Sequence, residues 1–126
     1  MKTKILAVDD DPVMLKALDH CLTGAGYAVI AAKDGMEALN VFNINKNIDL
    51  VISDIMMPNI SGFTLLSAIR KYQDKYIPVI LISSLEKTKE ISSALELEAD
   101  DIIVKPIDFN MLLLKVKQVM DSKIYQ

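Results

Sequence analysis

Short apolar runs, each closed by a polar residue, alternate along the chain with stretches in which apolar residues recur every three or four positions. Apolar runs bounded by turn signals predict strands buried on both faces. Ile5-Leu6-Ala7-Val8 and Leu50-Val51-Ile52-Ser53 are the clearest examples. The predicted strands are Lys4–Val8, Tyr27–Ala31, Asp49–Ser53, Ile77–Ile82 and Asp101–Val104. Pro78 stands at the entrance of the fourth, where a missing N–H is tolerated.

The intervening stretches predict helices. The first opens at Pro12, carries Met14, Leu18, Cys21 and Leu22, and stops at Gly24 and Gly26. The second is capped by Asp34 and turns Ala38, Leu39 and Phe42 inward. Asn43 to Asn47 reads as a polar loop. A third helix begins near Gly62 and carries Leu65, Leu66 and Ile69. A weaker fourth holds Ile91, Ala94 and Leu95. The last is capped by Asp108, with Leu112, Leu113, Val116 and Val119 as its buried stripe. Strict strand–helix alternation predicts an α/β fold, a parallel sheet with helices on both faces. Right-handed crossovers then favour a doubly wound, flavodoxin-like sheet of order 2-1-3-4-5.

The 126 residues are enough for one domain, read as residues 1–122 with a short tail at 123–126. A hydrophobic content of 52% supports a sizeable core and argues against disorder. The net charge of -3 argues against direct nucleic-acid binding, which needs a clustered basic face. Cys21 is the single cysteine, so no internal disulfide forms, in keeping with a reducing compartment. The apolar run after Met1-Lys2-Thr3-Lys4 ends at Asp9, too soon for a signal peptide, and no run approaches the ~20 residues of a membrane span. The expectation is a soluble, cytoplasmic protein. His20 reads as a solvated helix position, since one histidine builds no zinc site. Cys21 reads as a small core hydrophobe. Lys115 and Lys117 read as cations suited to the carboxyl end of the last helix.

Asp9, Asp10, Asp54 and Lys105 each close an apolar run. In an open parallel sheet, ligands bind beyond the carboxyl ends of the strands, and this layout brings three carboxylates and an ammonium to one rim. Like charges at about 4 Å repel by roughly 4 kcal/mol at an effective dielectric of 20. The cluster therefore suggests a metal site. Each residue alone has a plainer reading. Asp9 and Asp10 suit caps or turns, Asp11 before Pro12 suits the helix cap, Lys105 before Pro106 suits an ordinary surface, and Ser83 and Ser84 can bond local backbone. Their joint placement carries the argument.

Along nearly its whole length the sequence resembles the receiver domains of two-component response regulators. The matching segments are Ile5 to Pro12, Asp34-Gly35-Met36-Glu37-Ala38-Leu39, Asp49 to Pro58 with Gly62, Pro78 to Ser83, and Ala99-Asp100-Asp101 leading to Lys105-Pro106. The resemblance implies that Asp54 accepts a phosphoryl group from a histidine kinase or histidine phosphotransfer protein. It implies that Asp9, Asp10, Asp54 and the Met56 backbone carbonyl hold Mg²⁺, with Mn²⁺ as an alternative. Ser83 and Lys105 then meet the phosphoryl oxygens, and the Lys105–Pro106 bond is cis. Such a chain catalyses its own phosphorylation and dephosphorylation without being a turnover enzyme. Its output is a conformational shift that controls a partner or an output domain. Docking or homodimerisation is expected on the face of the fourth helix, fifth strand and fifth helix, where Ile107, Met111 and Leu114 lie.

Some positions depart from the family pattern. Ile102 stands where an aromatic switch residue is common, and a β-branched side chain has few rotamers to exchange. Ser84 replaces a smaller residue beside the acceptor. Glu98 replaces a frequent glycine, so its turn avoids positive φ or bears strain. Met56 and Leu85, two residues beyond Asp54 and Ser83, are apolar and cannot orient a hydrolytic water. A long-lived phosphoryl-aspartate is expected from them.

Two rival functions come from other classes. Asp9-Asp10-Asp11-Pro12-Val13 fits the nucleophile motif of haloacid-dehalogenase-like phosphatases, which would use Asp9 and leave Asp54 idle. The other is a phosphate-independent binding module that keeps only the fold. The kinase, the target and the signal are not written in the sequence. It fits a stand-alone protein and a piece of a larger regulator equally.

Overall fold

The computed structural model describes residues 2–84, 92–94 and 98–124. Its elements are β1 (Lys4–Val8), α1 (Pro12–Gly24), β2 (Ala28–Ala32), α2 (Gly35–Ile44), β3 (Leu50–Asp54), α3 (Gly62–Tyr72), β4 (Val79–Ser84), a helical turn α4 (residues 92–94), β5 (Asp101–Lys105) and α5 (Phe109–Ile124). The strands form one five-stranded parallel sheet of order β2-β1-β3-β4-β5, as the alternation predicts.

Alternate strand residues feed two cores. Leu6, Val8, Val51, Val79 and Leu81 pack with Ala38 and Phe42 of α2, with Leu65, Leu66 and Ile69 of α3, and with Ala94. Ile5, Leu50, Ile52, Ile80, Ile82 and Ile103 pack with Leu18 and Leu22 of α1 and with Leu112, Val116 and Val119 of α5. The period-two alternation of strand side chains thus separates α2, α3 and α4 on one face from α1 and α5 on the other. Burying each Leu or Ile contributes about 1.5–3 kcal/mol. That is why the central strands tolerate almost no polar residue before their carboxyl ends.

Helix caps follow the expected chemistry. Asp11 accepts the N–H groups of Val13 and Met14, Asp34 accepts that of Glu37, and Ser61 that of Thr64. Asp108 accepts those of Asn110 and Met111. Several boundaries differ from the sequence expectation. β4 starts at Val79, because Pro78 has no N–H and the Ile77 N–H is taken by Gln73 Oε1 at 3.1 Å. α2 runs to Ile44, with the Asn45 N–H donating back to Val41 O, so the polar loop is shorter than expected. α5 continues through Ile124, past residue 122. Lys115 consequently lies mid-helix and not at a helix end; it pairs with Asp101 at 2.8 Å. Glu98 does bear the strain considered for it, with φ at 66°. Ile91 and Leu95 of the expected fourth helix lie outside the described residues.

Candidate functional site

The rim at the carboxyl ends of β1, β3, β4 and β5 is built by the ladder itself. Asp9 is the first residue after β1, and its N–H donates to Ala32 O at 3.2 Å. Asp54 and Lys105 lie inside their strands, as the closing residues of β3 and β5, and β4 runs two residues further than the sequence suggests, to take in Ser83 and Ser84. Asp54 pairs with Ile82, Ser83 with Val104, and Ser84 with Lys105. Strand register therefore decides where their side chains start. Asp9 and Ser83 are fully buried and Asp54 nearly so, while Asp10 is exposed.

Lys105 Nζ lies 3.4 Å from Asp54 Oδ2 and 3.7 Å from Asp9 Oδ2. Asp9 Oδ1 accepts the Asp11 N–H at 2.9 Å, which ties the carboxylate to the first turn of α1. Asp9, Asp10 and Asp54 each offer an oxygen within 4.8 Å of the others. Asp9 Oδ2 and Asp54 Oδ1 are buried without a hydrogen-bond partner among the described residues. Burial pushes the Asp9 carboxyl above its ordinary value. Burial, then the Asp9 charge, pushes Asp54 up to about 6, against the pull of Lys105. One ammonium thus faces two buried carboxylates, with the third, Asp10, beside them. Two orphaned oxygens and a hard, all-oxygen donor set fit a divalent cation such as Mg²⁺, which keeps several waters and takes carboxylates for the rest.

Met56 follows Asp54 by two residues and turns its side chain to solvent. Ile102 packs, half-buried, against the core beneath α2 and α3, and Ser84 is half-buried. Leu85 lies outside the described residues. The Lys105–Pro106 bond is cis. On α5, Met111 and Leu114 are exposed, whereas Ile107 packs into the core beneath α1 and α5. His20 is exposed, and Cys21 packs at the edge of that same core.

Two features escape a reading of the sequence. One is the Asp11 backbone hold on Asp9. The other is a polar hub at the amino ends of β4 and β5. There Arg70 donates to Ile77 O at 2.6 Å, to Glu98 O at 2.9 Å and to Asp100 Oδ2 at 2.9 Å, and stacks over Tyr76. Asp100 also accepts the Val79 N–H and the Tyr76 hydroxyl. Burial and the Asp100 carboxylate together push that hydroxyl up to about 12. The hub's central pair, Arg70 and Asp100, lies 30 residues apart, so local spacing does not reveal it. Among the described residues no helix is long and apolar enough to cross a membrane.

Known proteins give the rim its context. The "probable transcriptional regulator ycf27" of Guillardia theta is 40% identical over 119 residues, covering 94% of this chain and 46% of that protein. The chain spans about half the length of the curated relatives it matches. The crystal structure of a response regulator receiver domain protein from Clostridium thermocellum superposes with a TM-score of 0.91 at 27% identity, covering 98% of each chain. The chemotaxis response regulator CheY4 of Vibrio cholerae superposes with a TM-score of 0.87 at 32% identity, covering 94% of this chain and 99% of that one. Residues 5–117 match the family model of the response regulator receiver domain. With its sheet order and helix placement in agreement, the chain belongs to the response regulator receiver domain family.

Proposed function

We propose that the chain is a phosphoryl-accepting signalling module in which Asp54 receives the phosphoryl group of a phosphohistidine donor on a kinase or phosphotransfer protein. The observation that supports this most is the unpartnered Asp54 Oδ1, buried beside Asp9, Asp10 and Lys105. In the reaction a carboxylate oxygen of Asp54 attacks phosphorus, a P–O bond forms, and the P–N bond to the imidazole breaks. The other ring nitrogen of the phosphohistidine carries a proton taken from solvent, so the electron pair of the broken P–N bond returns to the ring and a neutral imidazole leaves. Asp9, Asp10, Asp54 and the Met56 carbonyl are the groups that would hold Mg²⁺. When bound, the ion neutralises charge on the transferring oxygens. Lys105 would supply a second positive charge from the carboxyl end of β5, and the Ser83 hydroxyl, on the neighbouring β4, would donate to a phosphoryl oxygen. Positioning and charge neutralisation carry most of such catalysis.

The product adds about -1.5 to -2 charge units at the rim. Lys105 must then leave Asp9 for the new anion, and β4 and β5, which carry Ser83 and Lys105, are drawn towards β3. The output is a shift between two conformations. Relatives described as transcriptional regulators are about twice as long, so the shift would act on a further domain or on a separate partner. Exposed Met111 and Leu114 on α5, beside the Asp101–Lys115 pair, offer an apolar patch with charges of both signs for docking or for a second copy. Cytoplasmic residence follows from a phosphohistidine donor.

The phosphatase reading needs Asp9 as nucleophile. Asp9 is 0% exposed and one of its oxygens is held by Asp11, whereas the Asp54 side chain keeps 6% of its surface at the rim. Incubation with acetyl phosphate and Mg²⁺, followed by phosphate-affinity electrophoresis, separates the readings. Label abolished in Asp54→Asn but only slowed in Asp9→Asn, which lacks one metal-holding carboxylate, supports the receiver function. The reverse result makes the chain a phosphatase. No label in the wild type revives the phosphate-independent module.

A further inference from the structure

We propose that Ser53 and Gly62 are positioning residues for the phosphoacceptor, which together fix the peptide from which the Asp54 carboxylate projects. The inference rests on the phosphoacceptor reading above. The last β1–β3 pair is Val8 with Ser53, so Asp54 lies one residue beyond that ladder. Its carbonyl accepts the Ser53 hydroxyl at 2.9 Å, and Ser53 is fully buried. A polar side chain in an otherwise apolar strand, spent on the carbonyl of the acceptor itself, is unexplained by core packing. Buried hydroxyls are kept where they have a partner to satisfy.

The helix side completes the hold. The Gly62 N–H donates to Ile55 O at 2.9 Å, and the Ile55 N–H donates to Ile82 O at 3.0 Å. A Cβ on Gly62 would run into Asp54 O and would lie 2.9 Å from Ile55 Cα and 3.1 Å from Asp54 C. All three are backbone atoms, so no rotamer change makes room. The Asp54–Ile55 peptide is thus gripped between the Ser53 hydroxyl, β4 and the start of α3. A misplacement of about 1 Å can cost about 100-fold in rate where an attacking group must lie in line. The grip therefore acts on reaction geometry as well as on folding.

The test compares the wild-type chain with Ser53→Ala, Ser53→Thr and Gly62→Ala. Three quantities are measured: the labelling rate over a range of acetyl phosphate concentrations, Mn²⁺ affinity and Tm. Ser53→Ala is expected to lower the maximal labelling rate about 10-fold at unchanged donor half-saturation and to weaken Mn²⁺ binding a few-fold. Such losses are what a small displacement of a reacting group predicts. Ser53→Thr, which keeps the hydroxyl, is expected to restore most of the rate. Gly62→Ala should lose at least as much; if it does not fold, the two Ser53 variants decide. A lowered Tm with a wild-type labelling rate in Ser53→Ala makes the hydroxyl merely structural and overturns the proposal. Absence of labelling in the wild type defeats the phosphoacceptor reading by itself. The proposal is then decided by Mn²⁺ affinity alone, and equal affinity in wild type and Ser53→Ala overturns it.

Discussion

Lys105 and Asp54, 51 residues apart in sequence, meet at 3.4 Å across the ends of β5 and β3, and the same ammonium lies 3.7 Å from Asp9. A single cation thus compensates two buried carboxylates before any metal arrives. Removing one partner from a buried charge cluster costs more than the pair itself contributes, because the remaining charges are left uncompensated.

Lys105→Met is therefore expected to lower stability by about 1–3 kcal/mol in EDTA at neutral pH. Millimolar Mg²⁺ should recover most of the loss. Urea denaturation with and without Mg²⁺ measures both effects; equal loss in the two conditions would mean that Lys105 does not neutralise this cluster.

The raised Asp54 carboxyl gives a pH dependence of definite sign. Its folded value of about 6 exceeds the ordinary 3.8, so the folded, metal-free protein binds this proton more tightly than the unfolded chain. That contribution is complete below pH 3.8 and is lost as pH rises through about 6. Asp54→Asn should accordingly raise stability in EDTA at pH 7.5 by roughly 2–3 kcal/mol. The gain should disappear near pH 4, and Mg²⁺ affinity should fall. Thermal melts across pH check the sign.

Arg70 is 14% exposed, and its contacts with Asp100 and with the Ile77 and Glu98 carbonyls exploit the fork of the guanidinium. Lysine cannot reproduce that fork. Arg70→Lys should cost about 1–3 kcal/mol, and Arg70→Ala at least as much, by urea denaturation. A neutral Arg70→Lys would show that a point charge is enough.

Glu98 sits at φ 66°, a region that L side chains enter at a cost. Glu98→Gly should raise stability by about 0.5–1 kcal/mol, because relief of strain outweighs the added entropy of the unfolded chain. A loss of stability would mean that the glutamate side chain makes a compensating contact.

Apolar Met56 and Leu85 cannot orient water for hydrolysis. Combining Met56→Asn with Leu85→Glu should shorten the life of the phosphoryl group several-fold in a timed decay assay. Unchanged or slower decay would count against the expectation of a long-lived phosphoryl-aspartate.

The sheet order was legible because the strands read as short apolar runs separated by single helices. The meeting of Asp9, Asp10, Asp54 and Lys105 was legible for a related reason: each residue stands at a strand's carboxyl end, and a parallel sheet aligns those ends. Exact strand limits were not. Pro78 and the side chain of Gln73 delay β4, and local spacing does not reveal a bond that Gln73 makes to the Ile77 N–H. The Ser53 hydroxyl looked like one more residue in an apolar run, since its partner is a carbonyl exposed only once β1 has ended. Lys115 reads as a helix-end cation in sequence, whereas α5 runs on to Ile124 and leaves it mid-helix, paired with Asp101.

The Arg70 hub fastens the starts of β4 and β5 together at the rim opposite Asp54. A pull on Ser83 and Lys105 from a phosphoryl group on Asp54 would therefore meet strands already pinned at their far ends. On the proposed mechanism such a pull would swing the strands and not slide them along the sheet, with the guanidinium as fulcrum and the strand length as lever arm.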